Sequence, residues 1–84
     1  MNTKITETDI DQMLEQATQE HHIFYGKALV VCYQLQSGFI LIGTAAVVDP
    51  NNFDLEVGLK IAHDNAKNQL WELEGYRLQL ELAK

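Results

Sequence analysis

The protein has 84 residues, of which 46% are hydrophobic and 21% are charged, and these values are typical of one small globular domain over residues 1–84. Twelve acidic residues against six Lys and Arg give a formal net charge of -6, so the counterion release that drives binding to DNA or RNA has little basis here. The acidic N-terminal segment lacks the apolar run of a signal peptide, and the single cysteine, Cys32, cannot form an intramolecular disulfide. We therefore expect a cytoplasmic protein with no nucleic-acid partner.

The first predicted element is an amphipathic helix over residues 7–19. It begins at a cluster of Thr and acidic side chains, Thr6 to Asp9, whose oxygens can accept hydrogen bonds from the unpaired amide groups of the first turn. The apolar residues that follow recur with helical spacing, at Ile10, Met13, Leu14 and Ala17. The spacing places them in one stripe along the helix.

Residues 27–48 are predicted to form a β-hairpin. Two segments rich in Val, Ile, Leu and aromatic residues are separated by Gln36, Ser37 and Gly38, and a glycine with positive φ suits a short hairpin loop. These polar residues also lie at the centre of the longest nearly uncharged stretch, where a membrane-spanning helix would need its most apolar residues. We therefore expect two strands and no membrane span.

Both predicted strands are apolar on both faces. In the first strand one face carries Leu29, Val31, Tyr33 and Leu35, and the other carries Ala28, Val30, Cys32 and Gln34. Strands of this kind must be covered on both sides, and one hairpin with two or three short helices cannot cover both faces and both edges. This mismatch predicts a homo-oligomer that completes or covers the sheet.

The C-terminal part of the chain, residues 51–83, is predicted to be helical. Pro50 ends the second strand because it removes a ladder donor, and apolar residues then recur with helical spacing from Phe53 onward. A glycine at position 75 permits a kink, and the sequence leaves open whether this region is one kinked helix or two helices with a break near Trp71.

The predicted fold class is α+β, with a central antiparallel hairpin. The element order is α-β-β-α, with a further short helix if the C-terminal region is broken. Gly58 interrupts an otherwise regular helical pattern at a cost of about 1 kcal/mol relative to Ala. Its presence indicates that another backbone approaches the helix closely at this position.

The second half of the chain carries a series of short motifs. In order these are Gly38-Phe39, Gly43, Asp49-Pro50, Asn52-Phe53-Asp54, Gly58, Ile61-Ala62, Asn65-Ala66, Trp71 and Leu73-Glu74-Gly75-Tyr76. Over residues 36–80 this series resembles a family of small proteins of tailed bacteriophages and prophages that have no assigned activity. The resemblance implies an accessory protein that acts in the infected bacterium. The same region is similar to phage proteins that antagonise the Thoeris defence system by sequestering a cyclic ADP-ribose signal.

No group of residues matches a catalytic or metal-binding arrangement. His21 and His22 are adjacent, so a helix or a strand directs their side chains apart. The pair His63-Asp64 has no serine or cysteine placed to act as its nucleophile, and the chain has no glycine-rich phosphate loop. We therefore predict neither an enzyme nor a metal or cofactor site.

The candidates for binding an anionic ligand are five polar side chains in the predicted helical region: Asn51, Asn52, Lys60, Lys67 and Arg77. The two lysines share one helical face with His63, the asparagines lie at a helix start, where amide groups hold phosphates, and the arginine could reach a ligand across a subunit interface. Each also has a simpler structural role. The lysines can balance local acids, the asparagines can cap the helix, and the arginine can pair with Glu74 or Glu81.

We therefore predict a non-enzymatic phage accessory protein that acts by binding as a homo-oligomer. An alternative, implied by the resemblance, is a sponge that sequesters a small nucleotide immune signal between protomers, either of the cyclic ADP-ribose type or a cyclic oligonucleotide. A second alternative is an inhibitor that uses its acidic surface against a basic host protein.

Overall fold

A computed structural model of the protein describes residues 4–84. A short helix precedes a three-stranded antiparallel sheet and a long helix follows it, so the predicted α+β class is confirmed. The elements in chain order are α1 (Glu7–Glu15), β1 (Thr18–Phe24), β2 (Ala28–Gln34), β3 (Ile40–Ala46), a 3-10 turn (Pro50–Asn52) and α2 (Leu55–Leu82). The strand order is β1-β2-β3, which makes β2 the central strand. Within the described residues no helix is long and apolar enough to cross a membrane.

Helix α1 begins at a capping box. The Thr6 hydroxyl accepts a hydrogen bond from the Asp9 N–H at 3.2 Å, and the Asp9 carboxylate accepts one from the Thr6 N–H at 3.0 Å. The apolar stripe of this helix faces the core, where Ile10 is 0% and Leu14 is 1% exposed. The short helix is therefore held by its cap at one end and by burial along one side.

Strand β1 is an element that the sequence analysis missed. The predicted helix over residues 7–19 ends at Glu15 instead, and its last two residues belong to β1. Six of the seven β1 residues are exposed, so the strand lacks the apolar alternation that marks a half-buried strand in sequence. A turn with positive φ at both Tyr25 (56°) and Gly26 (67°) joins β1 to β2, and this geometry suits a tight hairpin.

The β2–β3 hairpin lies within the predicted span 27–48. Its strands pair in register from Ala28 opposite Ala46 to Gln34 opposite Ile40, and Gly38 in the loop has a φ of 95°. The odd-numbered residues of both strands face the helices, and the most buried of them are Leu29, Val31, Tyr33 and Leu41. The expected separation of the two faces is therefore present.

Helix α2 is one continuous helix of 28 residues. The Asp54 carboxylate caps it by accepting hydrogen bonds from two N–H groups of the first turn. It passes Trp71 and Gly75 without interruption, so the single helix is the correct one of the two arrangements left open for residues 51–83. At 1.5 Å per residue it is about 42 Å long, whereas a seven-residue strand spans about 24 Å. The C-terminal part of α2 therefore extends beyond the sheet.

Small residues let α2 lie close to the sheet. Its buried positions recur every four residues, at Gly58, Ala62, Ala66 and Leu70. The closest approach is at Gly43 in β3, where an added Cβ would lie 2.1 Å from the carbonyl oxygen of Ala62. Only a glycine fits at this position, because any side chain would overlap the helix backbone.

The two helical glycines differ from expectation. An added Cβ at Gly58 would meet the side chain of Leu29 at 3.1 Å, so the neighbour is a side chain and not the predicted backbone. An added Cβ at Gly75 would meet nothing within 4 Å. The close backbone contact of the fold is therefore made by the strand glycine, Gly43.

The variant Gly43→Ala is expected to lower the free energy of unfolding by about 3 kcal/mol, since strand and helix must separate to admit a methyl group. The matched variant Gly75→Ala adds the same group in open space on a helix and is expected to raise that free energy by about 1 kcal/mol. Chemical denaturation at one protein concentration measures both. Equal effects of the two substitutions would contradict the close contact at Gly43.

Candidate functional site

One face of the sheet lies open to solvent. The alternation along the strands places the even-numbered residues on this face, and we refer to it as the open face: Thr18, Glu20, His22, Phe24, Ala28, Val30, Cys32, Gln34, Ile40, Ile42, Thr44 and Ala46. Ile40 is 54% and Ile42 is 49% exposed, whereas Leu41 between them is 2% exposed. The strands are thus apolar on both faces as predicted, and the helices of residues 4–84 cover only one.

The open face has an apolar centre and a polar end, where Thr18 lies opposite Gln34. Val30, Cys32 and Ile42 occupy neighbouring positions on β2 and β3, and the Cys32 thiol is only partly buried there. On β1 the rings of His22 and Phe24 pack edge to face, with their centroids 4.4 Å apart. A contiguous apolar surface with a polar rim is typical of a surface that contacts another molecule.

Lys67 joins the two helices through ion pairs. Its Nζ lies 2.7 Å from Glu7 Oε1 and 2.9 Å from Asp11 Oδ1, both on α1. The hydrogen bonds to Glu7 and Asp11 raise the pKa of the Lys67 ammonium above its ordinary value. This lysine therefore balances acids as expected, but the acids lie on another element of the fold and not nearby in the sequence.

Arg77 is also paired within the chain. Its Nε contacts a carboxylate oxygen of Glu74, and its Nη1 lies 3.0 Å from Glu81 Oε1. The hydrogen bond to Glu74 is the main cause of a raised pKa at Arg77. Both expected pairs of the arginine are therefore formed on the surface of α2.

Asn51 and Asn52 lie in the 3-10 turn that precedes α2. The capping role expected for them is taken by two aspartates: Asp49 Oδ1 accepts from the Asn51 N–H at 3.0 Å, and Asp54 caps α2. The capping expectation for the two asparagines was wrong because the 3-10 turn delays the start of α2 to Leu55. Asn52 instead lines a cleft of about 150 Å³ beside the ring of Phe53 and the end of β3.

The five candidate residues do not converge in one chain. Lys60 and Arg77 are 17 positions apart on a continuous helix, which corresponds to about 26 Å. Lys60 is exposed on α2 and makes no ion pair among the described residues. A site that uses several of these residues would therefore need more than one protomer.

An apolar groove that the sequence analysis missed lies where α2 leaves the sheet. It has a volume of about 330 Å³ and is lined by Met13, Leu35, Phe39, Leu70, Leu73 and Arg77, among others. Phe39 is 53% and Leu73 is 41% exposed. These residues come from α1, the hairpin loop and α2, so only the tertiary arrangement brings them together.

The histidines occupy separate places. His21 and His22 lie on opposite faces of β1, as adjacent residues of a strand must. The His63 ring lies edge to face against Tyr33, with centroids 6.3 Å apart, and burial raises the pKa of the Tyr33 hydroxyl. Across residues 4–84, no three His, Cys, Asp or Glu side chains gather where they could hold a metal ion.

The fold and these surfaces define a small α+β protein whose exposed features are apolar contact areas and paired charges. The sequence pattern of the Phage protein (N4 Gp49/phage Sf6 gene 66) family matches residues 5–82. The chain therefore belongs to this phage protein family, which confirms the resemblance to phage proteins, while the similarity to Thoeris antagonists stays a prediction. Neither the curated proteins nor the solved structures gave a match to the chain.

The variant Lys67→Met is expected to lower the free energy of unfolding at neutral pH, because Glu7 and Asp11 lose their cation. Since the pKa of Lys67 is raised in the folded state from 10.5, the ion pairs stabilise the fold below that pH and lose this effect as the pH rises through the higher folded value. The difference between wild type and variant, measured by denaturation at a series of pH values, should therefore shrink in the alkaline range.

The matched control is Lys60→Met, which changes an exposed lysine of the same helix that has no ion pair among the described residues. It should leave the alkaline stability profile unchanged. A difference for Lys67→Met that persists at the highest pH at which the protein stays folded would contradict the ion-pair role.

Proposed function

We propose that this phage protein acts by binding and not by catalysis, as a homo-oligomer in which the open face is covered by another copy. The observation that carries this proposal is the half-exposed state of Ile40 and Ile42 on a sheet whose other face is buried along β2 and β3. Removing apolar surface from water contributes about 25 cal/mol per Å². Covering the open face is therefore a source of stability that a single chain of this size does not use.

The overhanging part of α2 supports the same proposal. Leu73, Tyr76 and Leu80 are 41%, 66% and 51% exposed and lie three and seven positions apart along the helix. Such a stripe is typical of a helix that packs against another helix.

Binding is the activity that these surfaces favour. The open face and the apolar groove offer contact area, and the two best-placed cations, Lys67 and Arg77, are engaged by carboxylates of their own chain. An assembly that presents repeated copies of one surface suits a protein that captures a ligand or a partner.

The variant Ile42→Glu is expected to reduce the size of the assembly, since it places a charge at the centre of the open face and a buried charge is costly. The matched control is Val48→Glu, which adds the same charge at an apolar residue that is 92% exposed outside the sheet. Size-exclusion chromatography with light scattering measures the mass. A wild-type protein that elutes as a 9.5 kDa monomer at micromolar concentration would contradict the proposal.

A second candidate function is the sequestration of a small nucleotide signal, and the cleft at Asn52 favours it. The cleft pairs an amide side chain with the ring of Phe53, and an aromatic ring can stack on a base. Its volume of about 150 Å³ is smaller than the 300 Å³ or more that is typical of ligand pockets. A neighbouring protomer would therefore have to complete the site, and the unpaired Lys60 is the candidate cation for it.

Titration calorimetry against cyclic ADP-ribose isomers and cyclic oligonucleotides tests this second function. We expect heat with one member of the panel and a loss of at least about tenfold in affinity in Asn52→Ala, which removes a hydrogen-bonding group worth about 1.4 kcal/mol or more. The control Asn68→Ala changes an exposed asparagine elsewhere on α2 and should bind normally. No heat across the panel would exclude these ligands.

A further inference from the structure

Strand β1 leaves a row of backbone groups without partners in its own sheet. In the β2–β3 hairpin the Leu35 N–H donates to Phe39 O, and the Lys27 carbonyl accepts from the Val47 N–H, so the odd-numbered residues on the β2 side point toward β3. Backbone groups alternate in direction along an antiparallel strand, so the even-numbered residues of β2 point toward β1 and bond to its even-numbered residues. The odd-numbered residues of β1 therefore direct their N–H and C=O groups away from the sheet.

The opposite edge of the sheet is partly closed by α2. The side-chain amide of Gln69 donates a hydrogen bond of 2.8 Å to the carbonyl oxygen of Ile42, an even-numbered residue of β3 that points outward by the same alternation. Within residues 4–84 no such cover lies over β1, since six of its seven residues are exposed. Of the two edges, β1 is the one that remains available to another strand.

We propose that two copies of the chain pair through their β1 strands, antiparallel and over the full strand length, about a two-fold axis at His21. In this register His21 lies opposite its own counterpart, and Gln19 lies opposite Ile23 of the second copy. These are the three residues whose backbone groups point outward, so each outward N–H meets a carbonyl of the other strand. The two three-stranded sheets join into one sheet of six strands.

The side chains of β1 fit a second copy of the same strand. On the open face this register places the carboxylate of Glu20 opposite the imidazole of His22 of the second copy, and the symmetric pair repeats on the other side of the axis. Opposite-charge or hydrogen-bonding pairs across strands stabilise a sheet, whereas like charges directly opposite each other destabilise it. A strand that carries its acid and its histidine symmetrically about its central residue is therefore complementary to itself.

The joined sheet also extends the open face. Because both copies turn the same face of the sheet away from their helices, the apolar residues of β2 and β3 in one copy continue into those of the other across the axis. This pairing rests on the proposed self-association and names the edge through which it begins.

Cysteine cross-linking tests the register. In a background that carries Cys32→Ala, the variant His21→Cys places two thiols on a hydrogen-bonded pair with Cα atoms about 5.5 Å apart, which a disulfide can span. The matched variant Gln19→Cys lies on the same face of the same strand, but its two copies are about 14 Å apart. Under mild oxidation His21→Cys is expected to form a covalent dimer at least about tenfold faster than Gln19→Cys, as seen by non-reducing electrophoresis.

Light scattering on the same two samples before oxidation separates the possible failures. Oligomers that cross-link equally fast at both positions, or at neither, would overturn the β1 pairing and leave the proposed self-association intact. Monomers of 9.5 kDa at micromolar concentration would overturn both.

Discussion

The contact between Gly43 and the backbone of Ala62 is the constraint on which the rest of the structure depends. Because the strand has no side chain there, α2 lies with its small residues directly on β3, and the spacing of four residues from Gly58 to Leu70 keeps this contact along the helix. The same position brings Gln69 within 2.8 Å of the Ile42 carbonyl. One close contact therefore places the helix on one face of the sheet and also covers part of one edge.

The charges of the chain serve this arrangement. Lys67 connects α2 to Glu7 and Asp11, which are far away in sequence, and so holds α1 beside the long helix where Ile10 and Leu14 complete the core. Arg77 is surrounded by acids of its own helix in the part of α2 that extends beyond the sheet. With these cations engaged, the acidic excess of the chain remains on its surface, and an anionic ligand would have to be held mainly by amide groups, aromatic rings and the groups of a neighbouring copy.

The sequence predicted the elements whose pattern is local and failed where the pattern is tertiary. The hairpin could be predicted because two segments rich in Val, Ile and Leu surround a glycine turn, and α2 because apolar residues recur with a helical period over its whole length. Strand β1 could not, because a polar edge strand carries no apolar alternation and its residues resemble the end of a helix. The role of Gly43 could not be predicted either, because the need for a glycine in this strand arises from its contact with the backbone of Ala62 in the folded chain. The partners of Lys67 could not be predicted because they lie on another helix, and one of them, Glu7, is 60 positions away in sequence.

The open face, the free edge of β1 and the overhang of α2 have a common origin. The helices of residues 4–84 cover one face of the sheet along β2 and β3, and the glycine contact places α2 on the β3 side. This arrangement leaves three surfaces of the described residues in contact with water: the half-exposed Ile42, the outward backbone groups at His21 and the exposed stripe at Tyr76. Each of these surfaces can pack against a surface of its own kind. An apolar sheet face can contact another apolar face, an edge strand can pair with an antiparallel strand, and an apolar helix stripe can pack against another helix. Further copies of the chain supply all three kinds of group, whereas an unrelated partner would have to supply each one separately, and this is the physical reason for the proposed self-assembly.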